Sequence, residues 1–299
     1  MKLRIATRRS RLALAQAEEV ARALAAMSVE TVLVPMVTSG DRGAAPIASP
    51  SGLKGLFVAE IVRALQDGEA DLAVHSAKDL PAEDPPGLVV AAVPEREDPF
   101  DYLVTLGGSV PDGGAIGTSS LRRRAQLLLD EEFREPRARL VELRGNVDTR
   151  LQKLEEGEVD AVVLAGAGLR RLGLWPEHVR RLSIVPAPGQ GCLALQTRAG
   201  NGAAREALAA LDHGSSRDAF EAERAVMHAL GGGCALPLGA FARREGDVVS
   251  IVAIVAAPDG SRSVTVEAHG ATPAGAAAEA VGRLREGGAD EILAEVGRA

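Results

Sequence analysis

The sequence predicts an α/β protein that ends in an α+β region. In the first 94 residues, short apolar or β-branched runs alternate with segments of helical spacing, which is typical of βαβ units on a mostly parallel sheet. A second alternating stretch follows the charged, proline-bounded link at 94–99. Beyond residue 215, a helix precedes two adjacent strands joined by the turn sequence at 258–260. We therefore expect the alternation to stop in the last region.

The first region alternates regularly and contains one long interruption. Its elements are a strand over 3–6, a helix over about 10–27, a strand over 29–37, a helix marked by Phe57, Ile61, Val62 and Leu65, and strands over 71–74 and 88–93. Ser10 is a favourable N-cap for the first helix. Residues 38–53 are rich in Gly, Pro and Ser and lack periodicity, and a loop of that length is typical of a functional lid.

The second and third regions differ from each other in pattern. The second contains strands over 102–106, 140–143 and 159–164, a Gly-rich turn ending at Gly117, and helices from about Ser119 and over 147–155. The third contains a helix over 215–230, strands over about 247–256 and 262–268, and a helix over 274–285. Residues 186–191 between the two regions indicate a hinge. The length of 299 residues suggests about two domains.

Composition and charge exclude several classes of protein. The apolar runs, such as 161–169, are far shorter than the ~20 residues that span a bilayer. The first residues carry scattered charges and no apolar segment typical of a signal peptide, so we expect a cytoplasmic protein that does not bind a membrane. The net charge of −7 and an aromatic content of 2% argue against a nucleic-acid partner. Two cysteines are too few for a disulfide framework.

One candidate site directly follows the strand over 71–74. The run HSAKD at 75–79 places an imidazole, a hydroxyl, an ammonium and a carboxylate at a strand end, where open α/β sheets bind ligands. Lys78 is one of four lysines among 34 basic residues. Asp79 with a neighbouring cation is suited to acid–base chemistry. The alternative is a solvated turn closed by Pro81.

Arginines follow four of the predicted strands. The run GTSSLRRR at 117–124 places hydroxyls and free backbone N–H groups at a helix start, which favours an anion. The run RGNVDTR at 144–150 repeats this arrangement, and Arg8 and Arg171 lie after two further strands. Arginine forks pair with carboxylates or phosphates, so their convergence would bind a polyanion. The alternative is a set of N-caps with solvated basic faces.

The two cysteines lie in different settings. Cys192 precedes an apolar run and is expected to be a buried core thiol. Cys234 follows three glycines in a loop, where it is either a nucleophile or attachment point or a structural thiol. No His or Cys near it has the spacing of metal ligands, so we expect no metal.

Together, these motifs resemble the porphobilinogen deaminase family, also called the hydroxymethylbilane synthases. The resemblance runs in order through RIATRRS (4–10), VPMVTSGD (34–41), KGLFVAE (54–60), DLAVHSAKDLP (71–81), EREDP (95–99), GTSSLRRR (117–124), LRGNVDTRL (143–151), DAVVLAGAGLRRLGL (160–174), PGQG (188–191), ERAVMHALGGGCALPLGA (223–240) and AAPDGS (256–261). Any one of these segments is a weak signal. Their collinear order over almost the whole chain is specific.

The resemblance implies a transferase that joins four porphobilinogen units head to tail, with release of ammonia, into hydroxymethylbilane for porphyrin and haem biosynthesis. It implies a dipyrromethane cofactor held by a thioether to Cys234, and Asp79 as the catalytic residue. The implied cofactor-binding residues are Ser76, Lys78, Asp79, Thr118, Ser119, Ser120, Arg122, Arg123, Arg144 and Gly145. The implied substrate-binding residues are Arg8, Ser10, Phe57, Arg144, Arg150, Arg171 and Gln190. Porphobilinogen and the growing oligopyrrole are the expected partners of a monomer.

The resemblance also refines the expected fold. It implies two periplasmic-binding-protein-like (type II) α/β domains and a third α+β domain, one more than the length suggests. The expected boundaries are 1–94 with 192–209 for the first domain, 100–185 for the second and 214–299 for the third. An anion-binding solute receptor of the periplasmic-binding type is the alternative function, since it would also have two α/β lobes and an arginine-lined cleft.

Overall fold

The structure is a computed structural model that describes residues 1–36, 52–134, 136–232 and 236–296, without the side chains of 52–57. Within these residues the chain forms three β-sheets. The strands are β1 (Lys2–Arg8), β2 (Glu30–Met36), β3 (Leu72–Ser76), β4 (Leu88–Ala92), β5 (Asp101–Thr105), β6 (Gly114–Gly117), β7 (Ala138–Val141), β8 (Ala161–Ala165), β9 (Val179–Arg181), β10 (Leu193–Arg198), β11 (Leu238–Glu245), β12 (Val248–Ala256) and β13 (Ser263–Gly270). The helices are α1 (Arg11–Ala26), α2 (Gly52–Gln66), α3 (Leu121–Leu127), α4 (Val147–Glu155), α5 (Gly166–Leu172), α6 (Gly202–Ala209), α7 (Gly214–Ala229), α8 (Pro273–Glu286) and α9 (Ala289–Val296).

The first sheet has the strand order β2-β1-β3-β10-β4. Strand β1 is parallel to β2 and β3, whereas β10 is antiparallel to both of its neighbours. Helices α1 and α6 bury apolar side chains such as Leu24 and Leu208 against one face. Helix α2 covers the other face with Ile61 and Leu65. The parallel sheet predicted from the alternation is therefore confirmed for β1, β2 and β3, but β10 runs against them.

The second sheet repeats this arrangement with the strand order β7-β6-β8-β5-β9. Strand β6 is parallel to β7 and β8, and β5 is antiparallel to β8 and β9. Leu127 of α3 packs on one face, and Leu154 of α4 and Leu169 of α5 pack on the other. The two sheets thus share one topology, and each is covered by helices on both faces, as expected for two α/β lobes.

The third sheet is antiparallel, with the order β11-β12-β13. Helices α7, α8 and α9 pack against it around a core that includes Val226, Ile251, Leu284 and Ile292. This region is α+β, as the sequence predicts. Within the described residues, no helix combines the length and the apolar character needed to span a membrane.

Two links carry the chain between the first two sheets, and they touch each other. The first link is 93–100 and the second is 182–192. The Glu97 N–H donates to the Gly191 carbonyl at 3.3 Å. Gly191 has φ +90°, and a Cβ there would lie 2.2 Å from the Glu97 carbonyl oxygen, so only glycine allows this approach. Residues 186–191, predicted as a hinge, therefore lie at this crossing.

A buried carboxylate joins both links to the third sheet. Glu223 of α7 accepts from Arg96 Nη1 of the first link at 2.7 Å and from the Gly189 N–H of the second link at 2.6 Å. It also accepts from the Ala242 N–H of β11 at 2.7 Å. Glu223 is fully buried. The position of each link is therefore fixed by a residue from the C-terminal region.

Several elements were not predicted from the sequence. These are the strands β6, β9, β10 and β11 and the helices α6 and α9. Strand β6 lies in the segment predicted to be a Gly-rich turn, and that prediction is wrong. All four residues of β6 are buried, and a Cβ on Gly117 would lie 2.6 Å from Leu143 Cδ2. Close packing therefore selects glycine here, in spite of its low strand propensity.

Candidate active site

The candidate site lies where the first two sheets meet, at the carboxyl ends of their parallel strands. From the first sheet, β3 leads into a short 3₁₀ turn, Ala77–Asp79. From the second sheet, β6 leads into α3, whose first turn carries Arg122 and Arg123. The charges of Arg122 and Arg123 act on the ammonium of Lys78. We call Lys78, Arg122 and Arg123 the basic cluster.

Asp101 at the start of β5 organises the two arginines. Arg123 donates to Asp101 Oδ1 from Nε at 2.9 Å and from Nη2 at 2.7 Å, and Arg122 Nη2 lies 2.8 Å from Oδ2. Burial alone would raise the pKa of the Asp101 carboxyl, but the charges of Arg122, Arg123 and Lys78 outweigh it and lower that pKa to about 2. The sequence reasoning missed Asp101, although it lies two residues beyond the EREDP segment.

Each of the two arginines also donates one hydrogen bond to a main-chain oxygen. Arg122 Nη1 donates to the Val185 carbonyl at 2.7 Å, and Arg123 Nη1 donates to the Val163 carbonyl at 2.8 Å. Both side chains are buried. The arginines therefore supply fixed positive charge, because their positions are set by the protein before any ligand binds.

The 3₁₀ turn after β3 presents Lys78 and Asp79 differently. Lys78 is half-buried, and burial together with the charge of Arg123 lowers its pKa to about 8, against the opposing effect of Asp79 and Asp101. Asp79 is exposed, and its carboxylate accepts no hydrogen bond from the described residues. His75 is buried, and burial lowers its pKa to about 4, so it is neutral near pH 7. The Asp79 carboxylate is therefore free to face a ligand.

Close packing holds this turn in place. Gly189 of the second link has φ +74°, and a Cβ there would lie 3.1 Å from the Lys78 nitrogen of the main chain. On the other side, Arg224 of α7 donates from Nη2 to the Pro81 carbonyl at 3.1 Å and to Asp84 Oδ1 at 3.0 Å. The turn that carries Asp79 is therefore fixed by the second link and by the C-terminal region.

The hydroxyl-bearing residues 118–120 form a turn at the start of α3, as predicted, and we call this segment the hydroxyl turn. Ser120 caps the helix, since its Oγ accepts from the Arg123 N–H at 3.4 Å. Thr118 is buried, and its Oγ1 accepts from the Ser120 N–H at 3.2 Å. Ser119 is exposed, and its Oγ accepts from Arg150 Nη2 at 3.1 Å. Thr118 and Ser120 thus stabilise the turn, and Ser119 lies at its surface.

Arg150 forms a hydrogen bond with the hydroxyl turn, whereas Arg144 forms none with it. Arg150 Nε donates to the Gly145 carbonyl at 2.8 Å, and burial, followed by the charge of Arg123, lowers the Arg150 pKa to about 10. Gly145 has φ +128°, a conformation that favours glycine. Arg144 is exposed and donates from Nε to Glu142 Oε1 at 2.6 Å. The structure therefore brings Arg150 and Gly145 to the site and leaves Arg144 at the surface.

The other implied substrate-binding residues lie around the links and β1. Arg8 ends β1 and is half-buried. Ser10 caps α1, with its Oγ accepting from the Ala13 N–H at 3.3 Å. Gln190 is buried and donates from Nε2 to the Pro99 carbonyl at 2.7 Å and to Asp101 Oδ1 at 3.1 Å. Gln190 therefore connects the second link to Asp101, the carboxylate that holds Arg122 and Arg123.

Three predictions fall on residues whose positions or side chains lie outside the described part of the chain. These are Cys234, the side chain of Phe57 and most of the proposed lid at 38–53. The described residues that flank Cys234 pack beside the segment after Asp79. Leu236 and Ala82 contact the same apolar core, and a Cβ on Gly232 would lie 2.9 Å from Ala82 Cβ.

Cys192, the second cysteine, is fully buried among Ala77, Leu80 and Phe220. Burial raises the pKa of its thiol to about 12. A thiol that remains protonated and inaccessible is a poor nucleophile. The prediction that Cys192 is a core thiol is therefore confirmed.

The donors gathered here fit a ligand that carries several carboxylates. Lys78 and Arg150 are half-buried cations, Ser119 is an exposed hydroxyl, and Arg122 and Arg123 add fixed positive charge behind them. Carboxylate ligands prefer charge-assisted hydrogen bonds of this kind. Asp79 adds one exposed carboxylate beside the cations, which is suited to a ligand that also develops positive charge.

Comparison with known proteins agrees with a site for a ligand that carries several carboxylates. The model of the porphobilinogen deaminase dipyrromethane cofactor binding domain matches residues 3–206, and that of the porphobilinogen deaminase C-terminal domain matches residues 218–286. Porphobilinogen deaminase of Syntrophotalea carbinolica is 47% identical over 98% of this chain and 95% of its own length. Porphobilinogen deaminase of Xanthomonas campestris is 45% identical over 98% and 99%.

A solved structure, the periplasmic VFT2 domain of Bordetella pertussis BvgS, has a TM-score of 0.40 and 16% identity over 70% of this chain and 86% of that domain, too low to bear on function. The two family models and the full-length relatives decide between the enzyme and the solute receptor. The chain belongs to the porphobilinogen deaminase family, the dipyrromethane-dependent transferases that join porphobilinogen units into hydroxymethylbilane.

Proposed function

We propose that in this chain Asp79 is the catalytic residue and that the basic cluster holds the carboxylates of a dipyrromethane attached to Cys234. One observation carries the proposal: the exposed carboxylate of Asp79 directly follows Lys78 in the chain, and the charges of Arg122 and Arg123 from the second sheet act on that lysine. Lys78 comes from the turn after β3, and Arg122 and Arg123 come from α3. A dipyrromethane with its carboxylates toward the cations, and the aminomethyl group of porphobilinogen beside Asp79, would match this distribution of charge.

The proposed role of Asp79 is electrostatic. When bound, the dipyrromethane supplies the pyrrole carbon to which the first porphobilinogen is joined. Porphobilinogen loses ammonia, so positive charge develops on its aminomethyl carbon and ring. The Asp79 carboxylate stabilises that charge, and it lies in a turn fixed by Gly189 and Arg224, so little reorganisation is needed.

The hydroxyl turn and Arg150 have a binding role in this proposal. Ser119 and Arg150 contact each other at the surface of the site, where each keeps further hydrogen-bonding capacity. They bind carboxylates of the substrate or of the lengthening oligopyrrole. Ser76, Thr118, Ser120 and Gly145 shape the main chain around the cofactor, and Arg8, Ser10, Phe57, Arg171 and Gln190 line the substrate side. Arg144 is exposed and contributes least.

We also propose that the chain divides into domains at 1–94 with 192–209, 100–185 and 214–299. The packing of β10 and α6 on the first sheet supports the return of the chain to the first domain.

We further propose that the protein is a cytoplasmic monomer. A size measurement by light scattering that gives the mass of one chain would agree with the monomer, and a dimer mass would contradict it.

Attachment to Cys234 is tested by intact-mass spectrometry of the purified enzyme. We expect the wild-type protein to exceed its chain mass by two pyrrole units and Cys234→Ala to lack this addition. Cys192→Ala is the matched control, because it removes the other thiol, which is buried and protonated. It should keep the addition. Retention of the two units in Cys234→Ala would contradict the proposal.

A further inference from the structure

An ion pair connects the first two sheets at the edge of the proposed substrate side. Glu19 lies on α1, which packs on the first sheet, and Arg171 lies on α5, which packs on the second. Arg171 Nε donates to Glu19 Oε2 at 2.9 Å, and Arg171 Nη1 donates to the Gly191 carbonyl at 3.2 Å. The side chain of Arg171 is 6% exposed and that of Glu19 is 41% exposed. The guanidinium is therefore held at two of its three nitrogens.

The third nitrogen of Arg171 is different. Its Nη2 is buried and has no hydrogen-bond partner among the residues that the structure describes. A guanidinium stays protonated in proteins, and a buried donor without an acceptor is unfavourable. Such a donor, on a charged side chain buried at the meeting point of two lobes, points to an anionic acceptor that comes from a ligand.

We propose that Glu19 is a positioning residue for the reaction: by holding Nε, it orients Arg171 so that Nη2 faces a carboxylate of porphobilinogen or of the growing oligopyrrole. This inference rests on the proposed role of Arg171 in substrate binding. The Gly191 carbonyl fixes a second edge of the fork from the link that also carries Gln190. Preorganisation of a long side chain increases affinity because less freedom is lost on binding.

The hydrogen bond from Arg171 and the charge of Glu19 act on a bound anion in opposite directions. The hydrogen bond orients Arg171 and favours binding. The negative charge of the Glu19 carboxylate lies close to Arg171 and repels the carboxylate of the ligand, which disfavours binding. The two effects can be separated, because Glu19→Gln keeps an acceptor oxygen without the charge, whereas Glu19→Ala removes both.

The test is steady-state kinetics of the holoenzyme with porphobilinogen. For Glu19→Ala we expect KM to rise about 2- to 10-fold, the factor that ordering one long side chain is worth, with kcat nearly unchanged. For Glu19→Gln we expect a KM equal to or below that of the wild type. Glu18→Ala is the matched control, because Glu18 is the exposed neighbour on the same helix, and it should leave KM unchanged.

A residue that only braced the two lobes would lower the unfolding temperature in Glu19→Ala without changing KM. That outcome would overturn the inference, as would a lower KM in Glu19→Ala or an equal rise in Glu19→Gln. Arg171→Ala separates this inference from the proposal on which it rests. If Arg171→Ala raises KM and Glu19→Ala does not, only the role of Glu19 is wrong. If Arg171→Ala leaves KM unchanged, the binding role of Arg171 is wrong as well.

Discussion

The first and second sheets share one topology, but the charged groups at their strand ends differ in sign and in burial. In each, three parallel strands are followed by an antiparallel strand that enters from a link, which is β10 in the first sheet and β5 in the second. The junction after β1 corresponds to that after β6, and the turn after β3 corresponds to the start of α5. Asp79 after β3 and the arginines after β6 therefore follow non-equivalent strands of one shared scaffold.

The junction after β3 and the junction after β6, which form the candidate site, differ in the sign and the burial of their charged groups. After β3, the first sheet presents an exposed carboxylate, Asp79, next to one half-buried cation, Lys78. After β6, the second sheet presents buried arginines, Arg122 and Arg123, which Asp101 holds in place. With Lys78, the cluster has three cations against one buried carboxylate, although the whole chain has a net charge of −7. One lobe thus places an exposed carboxylate at the candidate site, and the other provides fixed positive charge.

The largest effect is expected for Asp79→Asn, which removes the negative charge of this side chain and keeps its shape. We expect kcat to fall by roughly 10²- to 10⁴-fold, since the stabilisation of the positive charge that develops as ammonia leaves is lost. Steady-state assay gives kcat, and intact mass should show that the two-pyrrole addition is retained. Near-normal turnover would mean that the two lobes do not divide the chemistry in this way.

Asp101→Asn tests the fixed field of the second lobe. Loss of this charge leaves Arg122 and Arg123 buried without their counter-ion, so we expect the free energy of unfolding to fall by about 3–5 kcal/mol. Urea unfolding measures the change, and Asp112→Asn, at an exposed position, is the control.

The effect of Asp101 should depend on pH in a defined direction. Its pKa is lowered from the usual 3.8 to about 2, so its stabilisation is complete above about pH 4 and is lost as the pH falls toward 2. The difference between wild type and Asp101→Asn should shrink over that window. A constant difference from pH 7 to pH 2 would contradict the ion-pair explanation.

A smaller effect is expected from Lys78, where the two lobes meet. Its pKa of about 8 means that the ammonium loses its proton as the pH rises through 8, and with it one charge-assisted hydrogen bond to a carboxylate. We expect kcat/KM to decrease roughly tenfold on this side of the pH profile. Lys78→Arg stays charged and should not show the decrease. Identical profiles of the two enzymes would exclude Lys78 as the titrating group.

The sequence predicts the strand–helix junctions better than the sheets they belong to. Local patterns locate Asp79, Ser120 and Arg150, because caps, turns and strand ends are local features. The direction of β5 and β10 depends on pairing between residues far apart in the chain, which no local periodicity encodes. Strand β6 could not be predicted from local propensity, because its Gly117 is required by close packing against Leu143, a residue far along the chain.

Buried partners of charged residues are also hard to predict. Asp101, Glu223 and Glu19 have the same residue types as many solvated acids in this chain, and only the fold shows that they pair with arginines. The excess of Arg over Lys makes this harder, because an arginine at a strand end is the ordinary cation here. Arg144 and Arg150 illustrate the point: they share one motif, but one is exposed and the other lies at the site.

Arg144 and Arg150 provide the most direct test of the proposal that the first lobe supplies Asp79 and the second lobe supplies the cations that hold the growing chain. Arg150→Ala and Arg144→Ala holoenzymes are given limiting porphobilinogen, and the enzyme-bound species are resolved by intact mass. If cations of the second lobe hold the growing chain beside Asp79, Arg150→Ala should accumulate partly elongated species well above the wild-type level. Arg144→Ala, which removes an arginine paired with Glu142 at the surface, should accumulate few. The same distribution of species in both variants and the wild type would contradict this division of roles.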